Sequence, residues 1–436
     1  MEASGHSQTF KPTSKALFVC FVMFVAGMVC FGYTLSKNPA EAWSHWLIGA
    51  FYTTMMALFG IFFCAMNYAS GAGWNVVIRR VNEAMASNLI IGFLAMVILV
   101  IGLLTSHDKG MERIYEWLHL HHDHGAGSLE HAGGEMAAAA HSGQSALDKA
   151  HHELLEHKSP WLNQNFWIIR MVAYFAIWGF FAWKIISNSR KQDIDGDVKR
   201  TRANVRWSCL FIVFFAATVC LASFDWIMSL EPTWFSTIFG VYHFAGLFAG
   251  GVSTTIVLLF ILRRMGYLKE VNANHFHNLG IWLIVTTIFW GYIWFSQMML
   301  IWYSNIPEET QFYVFRMTNP EWDKWFYINL GWNFIVPFLL LLQQPIKRNE
   351  KALFFIAIWV LIGRWIDLYW SVGPIPFLDH ATHVYGFSKD TVWLSVGTVV
   401  GFAGLFGFVF FKALAKAPLQ ATKDPYYEES LHHHSA

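Results

Sequence analysis

Apolar runs of membrane length recur along this chain, at about 16–35, 43–69, 76–105, 163–187, 204–230, 234–262, 276–304, 322–344, 351–372 and 391–414. A helix needs roughly 20 mainly apolar residues to cross the hydrocarbon core. Only a helix, or a closed barrel, satisfies its own backbone in lipid. The pattern therefore predicts an all-α polytopic membrane protein with ten transmembrane helices. Composition agrees, with 55% hydrophobic and 14% charged residues, against about 25% charged in soluble domains.

Basic residues set the expected direction of insertion. Placing the N-terminus inside gives the inner stretches most of the 30 Lys and Arg, including Lys11, Lys15, Arg79, Arg80, Lys199, Arg200, Arg263, Arg264, Lys347 and Arg348. Both termini are then cytoplasmic. The first run, Ala16 to Leu35, is too long for a signal-peptide core and lacks a small-x-small cleavage site, so it is expected to stay as a span. Trp and Tyr gather where runs end, as at Trp43, Trp46, Trp302, Tyr303, Trp322 and Trp325, which suits both interfaces. Pro337 should kink the eighth span, beside a polar face of Asn329 and Asn333.

Polar residues inside the runs carry the chemistry. Asp225, Ser229 and Pro232 close the fifth span, and Asp367, Ser371 and Pro374 close the ninth with the same spacing. A rise of 1.5 Å per residue puts Asp225 about two turns short of the outer surface and His243 roughly 14 Å into the sixth span. Arg170, Arg364 and Asp367 fall in the same outer half, Arg364 and Asp367 on one helical face. Each charge costs roughly 2.5–3.5 kcal/mol at a span's centre, less toward the interface. They should therefore point inward and pair. Arg170 and Arg364 can neutralise one Asp each, which leaves His243 as the group able to titrate near neutral pH. The bland alternatives are a helix-stabilising Arg364–Asp367 pair, a satisfied core His243 and an interfacial Asp225.

A sparser polar trail, Asn75, Asn82, Glu83, Ser87 and Asn88 with Asn67, Gln343 and Gln344, marks the inner side. It is either an ordinary polar helix entry or a half-channel starting at Glu83 and Asn88. Residues 106–162 form a long outer loop holding ten of the 20 His. Met111 to Leu118 and Ala146 to Leu155 look amphipathic there. A metal site at His121, His122 and His124 lacks a known ligand spacing, so a solvated, partner-contacting extension is the expectation. The tail from Gln420 to Ala436 reads as a disordered end. Cys20, Cys30, Cys64, Cys209 and Cys220 make no CxxC or CxxCH and read as small core residues. Neither iron–sulfur nor c-type haem ligation is available in this chain, and His45 and His243 lack axial partners for a b-type haem. A net charge of +1 offers nucleic acid no basic stripe.

The segment Ser223-Phe224-Asp225-Trp226-Ile227-Met228-Ser229-Leu230-Glu231-Pro232-Thr233-Trp234, with Gly363-Arg364-Trp365-Ile366-Asp367 and the span pattern, resembles the polysulfide-reductase membrane-subunit (NrfD-like) superfamily. More narrowly it resembles the F-type subunits of alternative complex III, a bacterial quinol:cytochrome c oxidoreductase. The resemblance covers nearly the whole chain. It implies two four-helix bundles, spans 2–5 and 6–9, flanked by spans 1 and 10. The units are then 1–42, 43–230, 234–372 and 373–436. It also implies the bacterial inner membrane, with a second NrfD-like subunit, an iron–sulfur subunit, c-type haem subunits and a terminal oxidase as candidate partners beside lipids. Haem and Fe–S clusters would sit in those partners, and menaquinol or ubiquinol would be the one transient cofactor here.

Two functional classes follow. In the first, the chain belongs to a quinol oxidoreductase, with His243 as base and Asp225 or Asp367 as proton exit. In the second, it conducts protons, or only scaffolds, with no quinone site. A secondary transporter is the third reading, and it calls for broken helices in both halves. A lipid-accessible cleft beside His243 favours quinol, and a closed polar file favours conduction.

Overall fold

Polar caps decide where the apolar runs start and stop. The computed structural model describes residues 8–105, 114–118, 153–379, 384–385 and 389–434. Its long helices are α1 (Ser14–Lys37), α2 (Pro39–Ser70), the short α3 (Arg79–Ala86) continued by α4 (Leu89–Thr105), α5 (Gln164–Asp195), α6 (Val198–Trp226), α7 (Phe239–Arg264) and α8 (Ala273–Ser304). Asn38 caps α2, its Oδ1 accepting from Glu41 N, with Pro39 in the first turn; Gly71, at φ 65°, ends it. Gly196 (φ 67°) and the capping Asp197 make the tight turn from α5 into α6. α9 (Pro307–Thr318), α10 (Asp323–Leu330), α11 (Val336–Leu341), α12 (Gln344–Arg348), α13 (Glu350–Val372), α14 (Lys389–Leu414) and α15 (Tyr427–Leu431) complete the order. The only strands among the described residues are the two-residue pair Leu378–Asp379 and Val384–Tyr385. Nine helices among the described residues are long and apolar enough to cross a membrane. The protein is an all-α, multi-pass membrane protein.

α2 is apolar on every side and lies at the centre, touching α3, α4, α6, α7, α13 and α14. α5 packs on α6, α8 and α13 pack on α7, and α1 runs beside α14. Small residues set the α1–α14 approach, as expected where lipid gives no hydrophobic drive. A Cβ on Gly27 would lie 2.3 Å from Gly401 Cα, and one on Gly404 would lie 2.6 Å from the Cys20 carbonyl. Gly401→Leu must therefore part the two helices. We expect a loss of about 1–3 kcal/mol, read as a lower thermal midpoint in detergent, whereas the same change at Gly32, with open space around it, leaves the midpoint in place.

Four expectations need correction. The third run holds as one candidate span, Arg79–Thr105, but not as one unbroken helix: the buried Asn88 turns its amide onto the Met85 carbonyl at 3.2 Å and the helix breaks at Ser87 and Asn88. The eighth run is helical in three pieces, with a π-helical turn at Gly331–Ile335 between α10 and α11. Pro337 has no N–H to give and would press on the carbonyl four residues back, so the ladder widens before it. Trp332 and Trp359 lock that turn to α13. Their rings stack at 3.7 Å and 6°, and each indole N–H reaches the other's carbonyl, at 2.8 and 3.0 Å.

The tail is docked, not loose. Leu419 N donates to Gln8 O at 2.9 Å, Arg79 pairs with Asp424 at 2.8 Å, and Ser430 Oγ reaches the Trp74 carbonyl at 2.7 Å. Arg79 of α3 and, on α8, Asn274 and Asn278, which reach His433 at 3.1 and 2.8 Å, are among the side chains that hold it, and none was read as a docking site in the sequence. Last, Cys209 is exposed on α6 and not a core residue, while Cys20 and Cys64 are buried.

Candidate functional site

The docked tail fixes which residues share an end. Lys423 Nζ meets Ile194 O near the end of α5 at 2.6 Å, and Arg263 at the end of α7 pairs with Glu350 at the start of α13 at 3.0 Å. Arg170 on α5, Asp225 on α6, His243 on α7, and Arg364 and Asp367 on α13 therefore all lie toward the opposite end. All five are buried. They form two nodes with separate partners.

The first node is built on Asp225. Arg170 grips it with Nε and Nη2, both at 2.8 Å; Tyr174 Oη donates at 2.7 Å and Trp161 Nε1 at 3.1 Å. Four donors on two oxygens make the surroundings of an ionised carboxylate. The Arg170 guanidinium lies 4.2 Å over Trp161 and 4.3 Å over Phe166. Ser229 Oγ returns to the Asp225 carbonyl at 2.5 Å, and Trp167 Nε1 also reaches it at 2.8 Å.

The second node repeats the chemistry with looser geometry. Asp367 accepts from Tyr242 Oη, from Asn329 Nδ2 at 2.9 Å and from Trp290 Nε1 at 3.3 Å. Arg364 Nη1 stands 3.5 Å away, its guanidinium 4.3 Å over Trp290. Room for that side chain comes from Gly246 and Gly250, where an added Cβ would come 3.4 Å from Nη1 and 3.3 Å from Cγ. Ser371 Oγ reaches the Asp367 carbonyl at 3.0 Å, as Ser229 does in the first copy. The shared Asp–Ser spacing is thus one device used twice: the serine satisfies the aspartate's own carbonyl where the helix ends.

His243 stands between them. Phe51 meets its ring edge-on at 5.2 Å and meets Trp226, next to Asp225, at 6.3 Å. Tyr242, its neighbour in sequence, is the residue that donates to Asp367. Nδ1 faces the Phe239 carbonyl at 3.1 Å, so the neutral ring carries its proton there. Nε2 has no hydrogen-bond partner among the described residues. It is an unpartnered ring nitrogen between the two nodes.

Three contributors were not read from the sequence. Arg316, on α9, is fully buried: Nε and Nη2 take the carbonyls of Trp370 and Ser371 at 3.1 and 2.8 Å, and Nη2 also pairs with Glu231. It ties Glu231, in the loop after Asp225, to the last turn of α13 after Asp367. Trp161 and Tyr115 belong to the loop expected to be solvated. Instead its described parts roof the first node. Tyr115 Oη donates to Trp226 O at 2.7 Å, Trp117 Nε1 to Ser229 O at 3.1 Å and Lys158 Nζ to Pro232 O at 2.5 Å. Burial lowers the Lys158 pKa. His119, His121, His122 and His124 lie outside the described residues. A cleft of about 360 Å³ opens beside this roof, lined by Trp161, Phe224, Met228, Trp234 and Phe235.

Toward the tail, Glu83 sits in a chain of alternating charge. Arg80 bonds both Glu83 and Asp193, Arg79 lies 3.7 Å from Glu83 and pairs with Asp424, and Ser189 Oγ donates to Glu83 at 2.6 Å. Asn82 accepts from Thr255 at 2.9 Å, while Gln343 and Gln344 are exposed and stand apart. No protein-family model matches the chain, and no curated protein matches it.

Proposed function

We propose that this chain is an integral membrane subunit of a respiratory quinol:cytochrome c oxidoreductase complex, and that its own part is proton handling at the end away from its termini. One observation carries the reading: two buried aspartates, each held by an arginine, a tyrosine and a tryptophan, flank one histidine with a free ring nitrogen. Buried ionisable groups are expensive in a membrane and mark ion pathways by default. Counting α10, the π turn and α11 as one crossing gives ten spans. The packing around α2 and α7 suits two four-helix bundles with α1 and α14 outside them. The basic bias puts both termini in the cytoplasm, and hence both nodes on the outer side of a bacterial inner membrane.

In this reading His243 Nε2 takes a proton, and Asp367, one ring away across Tyr242, holds the exit. Asp225 is gripped by both prongs of its arginine and holds the framework. Glu83, saturated by Arg79, Arg80 and Ser189, works better as a clasp between α3, α5 and the tail than as a channel mouth, and Asn88 as a helix break. Electrons would pass through haem and iron–sulfur groups of partner subunits. Quinol at this chain is the second reading, favoured by the aromatic cleft beside Trp161, whose indole reaches Asp225. A transporter is favoured less, since the breaks at Asn88 and Gly331 do not fall in matching spans of the two halves.

Affinity purification of the tagged chain from its native membranes tests the assignment. c-type haem and iron–sulfur subunits, with quinol:cytochrome c reductase activity, should co-purify. A chain recovered alone, or with its own Soret band, would overturn it.

A further inference from the structure

The end that carries the termini has a cleft of its own, about 290 Å³, near the lower bound of ligand pockets. Arg79, Tyr68 and Asn75 line one side, Arg202 and Val205 of α6 the other, and Tyr426 of the tail closes it. Arg79 is 3% exposed. Its Nη1 is committed to Asp424 at 2.8 Å, its Nε faces Glu83 at 3.7 Å, and its guanidinium lies 5.0 Å over the Tyr68 ring. Nη2 has no hydrogen-bond partner among the described residues. A buried N–H without an acceptor is costly, and a guanidinium edge matches an oxyanion best.

The remaining wall repeats the charge. Arg202 is exposed at the rim, one turn into α6, with Lys199 and Arg206 on the same helix exposed. Arg200 is already paired with Asp195 at 2.5 Å. Asp424 takes Nη1 and Glu83 faces Nε, and neither carboxylate lines the cleft. Below Arg202 the helix face continues through Val205, Cys209 and Val213, spaced three and four apart, with Cys209 exposed and Val213 at 69%. That face leads from the cleft into the apolar belt. An anion held here can carry a hydrocarbon chain with it, and basic pockets between spans on this side of a membrane suit lipid headgroups.

We propose that this cleft binds the phosphate of an anionic membrane phospholipid, with Arg79 Nη2 and Arg202 as donors and one acyl chain along Val205, Cys209 and Val213. The full-length protein in nanodiscs of phosphatidylglycerol and phosphatidylcholine, released for native mass spectrometry, should retain one phosphatidylglycerol. Arg202→Glu should lower that retention about tenfold, given what one interfacial arginine contributes and the reversed sign. Lys416→Glu, the same charge change at another helix end, should leave it intact. As a second readout, alkylation of Cys209 by a membrane-permeant maleimide should be slower in nanodiscs containing phosphatidylglycerol than in pure phosphatidylcholine. Unchanged retention in Arg202→Glu, an equal loss in Lys416→Glu, or displacement of the lipid by millimolar inorganic phosphate each overturns the proposal, the last by showing a site for the free anion.

Discussion

Arg316→Ala should cost about 3–5 kcal/mol, the range for removing one partner of a buried ion pair, and should leave little folded protein after detergent extraction. The side chain is fully buried and meets Glu231 and the carbonyls of Phe312, Trp370 and Ser371. Alanine removes the donors to one carboxylate and three carbonyls at once. Arg316→Lys should recover only part of the loss, because an ammonium cannot present the planar fork that spans two carbonyls and a carboxylate. Glu231→Gln should be milder, since that carboxylate is 12% exposed and can turn to water. The order Ala, Lys, Gln in thermal midpoint, lowest first, checks the account. Equal midpoints for Ala and wild type would remove Arg316 as the tie between the two helix ends.

Asp225→Asn and Asp367→Asn should separate framework from function. Asp225 neutralises a guanidinium held at 2.8 Å by both prongs. Replacing it leaves Arg170 charged and uncompensated, so the expected effect is a stability loss of several kcal/mol. Arg364 sits 3.5 Å from Asp367 and keeps its stack on Trp290. The amide oxygen introduced by Asp367→Asn would still accept from Tyr242 and Asn329, so folding should survive while proton acceptance is lost. A group in proton transfer typically contributes about 10²–10⁴ in rate.

The sequence shows its helices because lipid forces a simple rule, roughly 20 apolar residues with polar caps. The membrane-depth charges were legible for the same reason, as costly exceptions inside apolar runs. Pairing of Asp with Arg followed from charge alone. What stayed hidden depends on contacts far apart in the chain. Trp161 is 64 residues from Asp225, and Arg316 is 85 from Glu231. Nothing in the local pattern of either distinguishes a roof or a tie from a loop residue. The π turn was half visible: Pro337 announced a disturbance, but whether the helix kinks or widens depends on Trp359 across the interface. The tail looked disordered because its composition is polar, and its order comes from acceptors and donors on α3 and α8.

Turnover of the assembled complex carrying Asp367→Asn tests the central claim most directly. Quinol:cytochrome c reductase activity, measured with haem and iron–sulfur subunits still co-purifying, should fall about a hundredfold or more. Wild-type turnover in that intact complex would contradict a proton-handling role for this site.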